Sequence, residues 1–323
     1  MYSLKDLTEK VLNGGQIDKS QALFLYKQPL DKLCESANEI RKRFCYNTFD
    51  ICTIINGKSG SCSENCKFCA QSAHNNTCTE IYPLLETDEI VKQARINKEQ
   101  GVLGYSIVTS GKKLSDEEVD KMCEAVKIIK EEVGISVCVS FGLLDEKQFK
   151  KLKNAGVSRV HNNLETSKNN FPNICTTHTF DDKVKAIKSA QAVGLTVCSG
   201  GIMGIGESVE DRIDMAFSLR ELGINSIPVN MLNPIPGTPF ENNEKLTTKD
   251  LQRIVAVYRF ILPTASIRLA GGRGLLDDKG ESCFVSGANA TISGDMLTTA
   301  GITVETDIKL IDKLGYKVGF INE

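Results

Sequence analysis

The sequence predicts an α/β chain folded as a parallel (β/α)8 barrel of the TIM type, preceded by a helical extension. Short apolar runs recur along the chain, stretches of helical period separate them, and helix-capping pairs open several of those stretches. At 323 residues and 41% hydrophobic content, the chain can bury a large core, as one big barrel or as two ordinary domains. A doubly wound sheet is the alternative, but it needs fewer strands than the pattern supplies.

The elements follow in order. Leu4, Leu7 and Val11, then Leu30, Leu33, Ala37 and Ile40, fall at helical spacing, so residues 1–45 read as an N-terminal helical extension. The barrel is expected over 46–302. Its strands are read at Asp50–Asn56, Leu103–Thr109, Ile135–Phe141, Ser158–Leu164, Thr196–Gly200, Ser226–Leu232, Ser266–Ala270 and Asn289–Ile292. Helices are read between them at 87–100, 115–133, 145–154, 180–193, 207–222 and 247–262, with a weaker one at 276–286. Caps are expected at Thr87-Asp88-Glu89, Ser115-Asp116-Glu117-Glu118 and Thr247-Thr248-Lys249-Asp250. Residues 303–323 read as a short C-terminal helix and tail.

The formal net charge of -2 gives no electrostatic case for nucleic acid or an anionic membrane surface as partner. No apolar run approaches the roughly 20 residues of a membrane span. The opening Met1-Tyr2-Ser3-Leu4-Lys5-Asp6-Leu7 lacks the apolar core of a signal peptide. With 12 cysteines and no such signal, a reducing cytoplasm and metal ligation are expected rather than disulfides.

The most informative motif is Cys62, Cys66 and Cys69, a C-x3-C-x2-C run in the loop after the first strand. Such a run can wrap three thiolates around one face of a [4Fe–4S] cube. The fourth cysteine usual in electron-transfer clusters is missing from the loop, which leaves one iron open for chemistry. Structural zinc usually wants four ligands in paired C-x2-C elements, and a second such pair is not present in the sequence. The loop lies at the C-terminal end of its strand, the face on which barrels build active sites. The same face receives Asn163-Leu164-Glu165-Thr166-Ser167 and the glycine-rich Ser199–Glu207. The latter could present backbone N–H groups to a carboxylate or a ribose, or could simply be a tight turn.

Cys52, Cys138, Cys198 and Arg268 fall on the first, third, fifth and seventh predicted strands, so alternate strands could present them to one interior layer. Three thiols and a guanidinium make a poor apolar plug. Around an anionic iron–sulfur cluster they are well matched. Any one of these cysteines alone reads better as a small buried hydrophobe; the three together with Arg268 on alternate strands reverse that reading. Cys34, Cys45, Cys78, Cys123 and Cys283 read as structural. Cys175 follows the fourth strand on the active face, His178 reads as a loop residue, and His161 as possible cavity lining. Three scattered histidines without paired carboxylates argue against a zinc hydrolase.

Taken together, these stretches resemble the biotin synthase family within the radical S-adenosylmethionine (SAM) superfamily, over essentially the whole length. Besides the cysteine loop, the resemblance is carried by Lys58-Ser59-Gly60, Asn163–Ser167, Val197-Cys198-Ser199-Gly200-Gly201, Asn230-Met231-Leu232, Gly237-Thr238-Pro239, Arg268-Leu269, Cys283-Phe284 and Gly287-Ala288-Asn289. It implies a [4Fe–4S] cluster on Cys62, Cys66 and Cys69 that reductively cleaves SAM to methionine and a 5′-deoxyadenosyl radical. That radical abstracts hydrogen from dethiobiotin, and an auxiliary cluster supplies the sulfur that closes the ring. Matching positions imply Phe68, Gly200, Gly201, Asn163 and Glu165 around SAM, the last two at its ribose, and His161 and Asn230 near the substrate. They also imply Cys138, Cys198 and Arg268 as ligands of the auxiliary cluster, with Arg268 counted as catalytic beside the loop cysteines. A flavodoxin or ferredoxin reductant and a homodimer are further implications.

The sequence departs from that family in two places. The remaining ligand of the usual auxiliary [2Fe–2S] cluster falls at Ser106, and a hydroxyl is a far poorer iron ligand than a thiolate. Cys52 is the expected substitute, with Cys175 behind it, in a cluster of different ligation, either [2Fe–2S] or a variant of different nuclearity. In Val160-His161-Asn162-Asn163 the first Asn and the His of the family pattern are exchanged, so an imidazole stands where an amide would read the substrate. Two other functions compete: a radical SAM enzyme of the same barrel acting on another small substrate, and a non-catalytic iron–sulfur carrier.

Overall fold

A computed structural model describes residues 2–321. Met1 and the last two residues of the expected C-terminal tail lie outside them.

Three helices open the chain: α1 (Leu4–Leu12), α2 (Lys19–Tyr26) and α3 (Leu30–Cys45). Ser3 caps α1, and Asp18 with Gln21 forms a capping box on α2. Strand β1 (Thr48–Lys58) then begins a wholly parallel barrel. It continues through β2 (Gly104–Thr109), β3 (Ser136–Ser140), β4 (Arg159–His161), β5 (Thr196–Cys198), β6 (Gly201–Met203), β7 (Ser226–Met231), β8 (Ser266–Leu269) and β9 (Ala290–Ser293). Pairing of β9 with β1, from Asp50 opposite Ala290 to Thr53 opposite Ser293, closes the sheet. Eight staves result because β5 and β6 occupy one position, both paired with β7.

That split overturns the single strand expected at Thr196–Gly200. The reason sits on the neighbouring strand. Pro228 of β7 has no N–H to give, and the ladder toward β5 and β6 is broken between Ser226 opposite Cys198 and Val229 opposite Gly201. A Cβ on Gly200 would lie 1.9 Å from the Pro228 carbonyl, so only glycine fits the break.

Between the strands run α4 (Thr87–Glu99), α5 (Asp116–Ile128), α6 (Glu146–Ala155), α7 (Phe171–Ile174), α8 (Phe180–Ala192), α9 (Val209–Glu221) and α10 (Thr248–Ile261). The expected caps at Ser115 and Thr247 form boxes with Glu118 and Asp250, whereas α4 is capped one residue earlier, by Glu86 with Glu89. The end of α5 loosens into a π turn, Ile129–Val133, that stops at the left-handed Gly134. The weak helix expected at 276–286 shrinks to α11 (Glu281–Phe284). After α12 (Val304–Lys313), the tail forms a two-residue strand, β10 (Lys317–Val318), against Thr48 and Phe49 of β1.

The apolar core fills the layer between sheet and helices, with Ile107, Val139, Ile227 and Ile267 on the outward face of their strands. Helix α3 packs on α10, and α2 on α9 and α10, so the N-terminal extension covers one flank of the barrel. Buried Arg259 of α10 ties this flank together through the carbonyls of Ala265 (2.8 Å) and Gly287 (2.9 Å) and the Asn289 side chain (2.8 Å). Among the described residues, no helix is long and apolar enough to cross a membrane.

Candidate active site

The barrel interior is an open cavity of about 410 Å³, lined at its rim by Cys62, Cys66, Phe68 and Cys69 and deeper by Cys52, Ser106, Cys138, Cys198 and Arg268. The rim loop is tightly self-bonded. The Cys62 N–H donates to the Gln71 carbonyl (3.0 Å), and the Ala73 N–H donates to the Cys62 carbonyl (2.8 Å). The Asn75 amide donates to the carbonyls of Cys66 (3.2 Å) and Cys69 (2.8 Å). Gly60 and Ser61, both at positive φ, turn the chain out of β1 into this loop. Spacing and turn chemistry thus point three thiols toward one opening.

The floor is set by register. Ser106 pairs with Cys138, Cys138 with Arg159, His161 with Cys198, and Arg268 with Ala290, which also faces Asp50. Arg268, 1% exposed, donates to Cys52 Sγ at 3.2 Å and to the Thr291 carbonyl at 2.9 Å, and forms a close ion pair with Asp50. Arg159 lies 3.7 Å from the same carboxylate. Burial pushes the Cys52 thiol up to about 11 and the Cys138 thiol up to about 12. Cys198 is buried as well, but His161 hydrogen-bonds it and Arg268 and Arg159 add positive charge. These bring it down to about 7. Ser226 donates to the same sulfur at 3.2 Å. Burial raises Glu165, half-buried in the cavity wall and held at positive φ.

Residues 58–219 match the radical SAM superfamily model, and residues 228–317 match the biotin and thiamin synthesis associated domain. A biotin synthase of Brachyspira hyodysenteriae is 61% identical over 316 residues, covering 98% of this chain and 95% of that protein. The chain belongs to the biotin synthase family. It is an enzyme of the radical SAM sulfurtransferase kind. A biotin synthase of Akkermansia muciniphila is 55% identical over 98% of this chain and 99% of its own. The fold is shared more widely. Methylornithine synthase (PylB) superposes with a TM-score of 0.84 at 21% identity, over 97% of each chain. The hydrogenase maturase HydG of Carboxydothermus hydrogenoformans superposes at 0.82 and 16%, over 98% of this chain and 79% of its own.

Set against the biotin synthase pattern, the cavity wall brings together Cys62, Cys66, Cys69, Phe68, Asn163, Glu165, His161, Asn230, Cys52, Cys138, Cys198 and Arg268. Gly200 and Gly201 stand behind the wall. The Gly200 N–H donates to Asn163 Oδ1 (3.0 Å), and the Gly201 carbonyl accepts from the Asn230 amide (3.1 Å). A Cβ on Gly201 would meet the Glu165 carbonyl at 2.3 Å, so these glycines are spacers that let Asn163, Glu165 and Asn230 reach the cavity. The carboxylate met by the N–H groups of Gly204 (2.9 Å) and Ile205 (2.8 Å) is the chain's own Glu207.

Cys175 is displaced from its expected place. It lies beneath the rim loop, with Asn65 Oδ1 at 3.4 Å and His178 Nδ1 at 3.3 Å, because the last turn of α7 carries it away from the floor. His178 is a buried ring whose Nδ1 bonds Glu64 at 2.5 Å. Among the described residues, three charged groups of the cavity wall escaped the sequence reading: Asp50, Arg159 and Lys183. Asp50 stands two residues before Cys52, and Arg159 two before His161, so strand alternation was the available signal for both.

Proposed function

We propose that the chain forms biotin from dethiobiotin, with Cys62, Cys66 and Cys69 holding a [4Fe–4S] cluster that binds SAM and with a second iron–sulfur cluster on the barrel floor. One observation carries this reading: two sets of thiols, one at the rim and one at the floor with Arg268, face a single cavity. The donor chemistry fits both groups. Soft thiols are the usual ligands of iron–sulfur clusters. Among the described residues, Glu165 Oε2 and Asp50 Oδ1 are buried without a hydrogen-bond partner, one beside the expected SAM site and one on the floor. When bound, the clusters and SAM supply the radical that removes hydrogen from dethiobiotin and the sulfur that replaces it.

The protein's own part is placement. Asn163, Glu165, Phe68, Asn230 and His161 all line the cavity, with Asn230 braced by the Gly271 N–H at 2.9 Å; in this reading Asn163 and Glu165 take the ribose hydroxyls, Phe68 packs on SAM, and Asn230 and His161 meet the substrate. Arg159 puts positive charge under an anionic cluster, and the barrel wall keeps water from a reactive carbon centre. On the floor, Cys52, Cys138, Cys198 and Arg268 are the ligand set, with Cys52 standing in for the thiol that Ser106 lacks. We further infer a helical extension over 1–45, a barrel over 46–302, a C-terminal unit over 303–323, a low-potential flavodoxin or ferredoxin as electron source, a homodimer and a cytoplasmic setting. The test is an anaerobic assay of reconstituted protein with SAM, a low-potential reductant and dethiobiotin. Both 5′-deoxyadenosine and biotin are expected; deoxyadenosine without biotin would overturn the substrate assignment.

A further inference from the structure

Beside the rim motif lies a second group of metal-ligating side chains that shares Cys66 with it and adds Cys175 and His178. The ligand atoms of Cys66, Cys175 and His178 all fall within 4.8 Å of one another. Cys175 Sγ is 3.9 Å from His178 Nε2. Bond lengths of about 2.3 Å to sulfur and about 2.0 Å to nitrogen around a tetrahedral ion put such atoms roughly 3.5 Å apart, so donors that lie within 4.8 Å of one another must draw together by up to about an ångström.

The donors are held in place. The Cys175 N–H donates to the Phe171 carbonyl (3.1 Å), and the Lys67 N–H ties the rim loop to the Ile174 carbonyl (2.9 Å). The His178 ring stands edge-on to Phe171 and gives Nδ1 to Glu64 at 2.5 Å; Cys175 Sγ lies 3.3 Å from that same nitrogen, so an ion on the free Nε2 requires the thiol to turn from Nδ1 toward Nε2. A carboxylate behind a histidine is the arrangement that fixes the tautomer of a metal-binding imidazole.

We propose that Cys66, Cys175 and His178 form a mononuclear site for a thiophilic divalent cation of the Zn²⁺ type, and that this site competes with the rim cluster for Cys66. Binding makes two metal–sulfur bonds and one bond to Nε2, and releases two thiol protons to solvent. No electrons move. The fourth position is open to water. Only the competition rests on the assignment of Cys66 to the rim cluster; the site itself does not.

The experiment uses full-length protein prepared anaerobically without iron and titrated with Co²⁺. One ion per chain is expected, with tetrahedral d–d bands and thiolate-to-cobalt charge transfer, displaced by Zn²⁺. Cys175→Ser and His178→Ala should abolish the bands, and Glu64→Gln should weaken binding about 10- to 100-fold, as loss of a carboxylate behind a ligating histidine does. Cys62→Ser should leave the spectrum unchanged. One equivalent of Zn²⁺ added before iron and sulfide should slow [4Fe–4S] formation in the wild type and not in Cys175→Ser. Wild-type protein without tetrahedral bands would overturn the proposal. So would bands that survive Cys175→Ser and vanish in Cys62→Ser, which would put the ion on the rim motif alone. Because Glu64→Gln keeps all three ligands, its weakened binding separates a built site from a folding defect.

Discussion

At the scale of single residues, the barrel floor is governed by charge. Asp50 faces two guanidiniums, Arg268 in close contact and Arg159 at 3.7 Å, in a place almost closed to solvent. Removing one partner of a buried ion pair leaves a charge that neither water nor protein compensates. Asp50→Asn should therefore cost about 3–5 kcal/mol, measured by denaturant unfolding of the cluster-free protein; a loss below about 1 kcal/mol would contradict the pairing. Cys52 carries the second residue-scale prediction. Cys52→Ser should lower iron and sulfide per chain while the rim cluster is retained, and unchanged counts would remove Cys52 from the ligand set. The local motif at Cys62, Cys66 and Cys69 was legible because all its information lies within one loop. The Asp50–Arg268 pair was not, since 218 positions separate its members and nothing in either strand marks the other.

At the scale of elements, the helices hold the loops that form the cavity wall. Asp211, in the first turn of α9, forms a capping box with Ser208 and accepts a 2.5 Å hydrogen bond from Ser167. That contact ties α9 to the loop bearing Asn163 and Glu165. Burial raises the Asp211 carboxyl, but the bonds from Ser167 and Ser208 outweigh it and hold the group below the usual carboxylate value of 3.8. A depressed acid stabilises the fold above its unfolded pKa and loses that contribution as pH falls through the folded one. Ser167→Ala should thus cost about 1.5–3 kcal/mol at pH 7, typical of a hydrogen bond to a charged group. The gap should narrow below pH about 4; a gap independent of pH would contradict the ionised partner. Helix positions were readable because caps and period are local. The break between β5 and β6 was hidden, because its cause, the missing N–H of Pro228, lies on the neighbouring strand rather than at the break.

At the scale of the whole molecule, closure of the sheet turns these pieces into one reaction chamber. Strand order and alternation bring Cys52, Cys138, Cys198 and Arg268 to the floor, and the loop after β1 sets three thiols above them. That much was legible from strand count and the alternate-strand rule. The position of Cys175 was not, since it depends on how α7 folds under the rim loop. The central claim is that the floor, despite Ser106, still carries the sulfur that enters the product. It is tested most directly by reconstituting the protein with ³⁴S-labelled sulfide, removing free sulfide, and running a single turnover with unlabelled dethiobiotin, SAM and reductant. Biotin heavier by the sulfur label is the predicted result. Unlabelled biotin, or 5′-deoxyadenosine with no biotin at all, would contradict it.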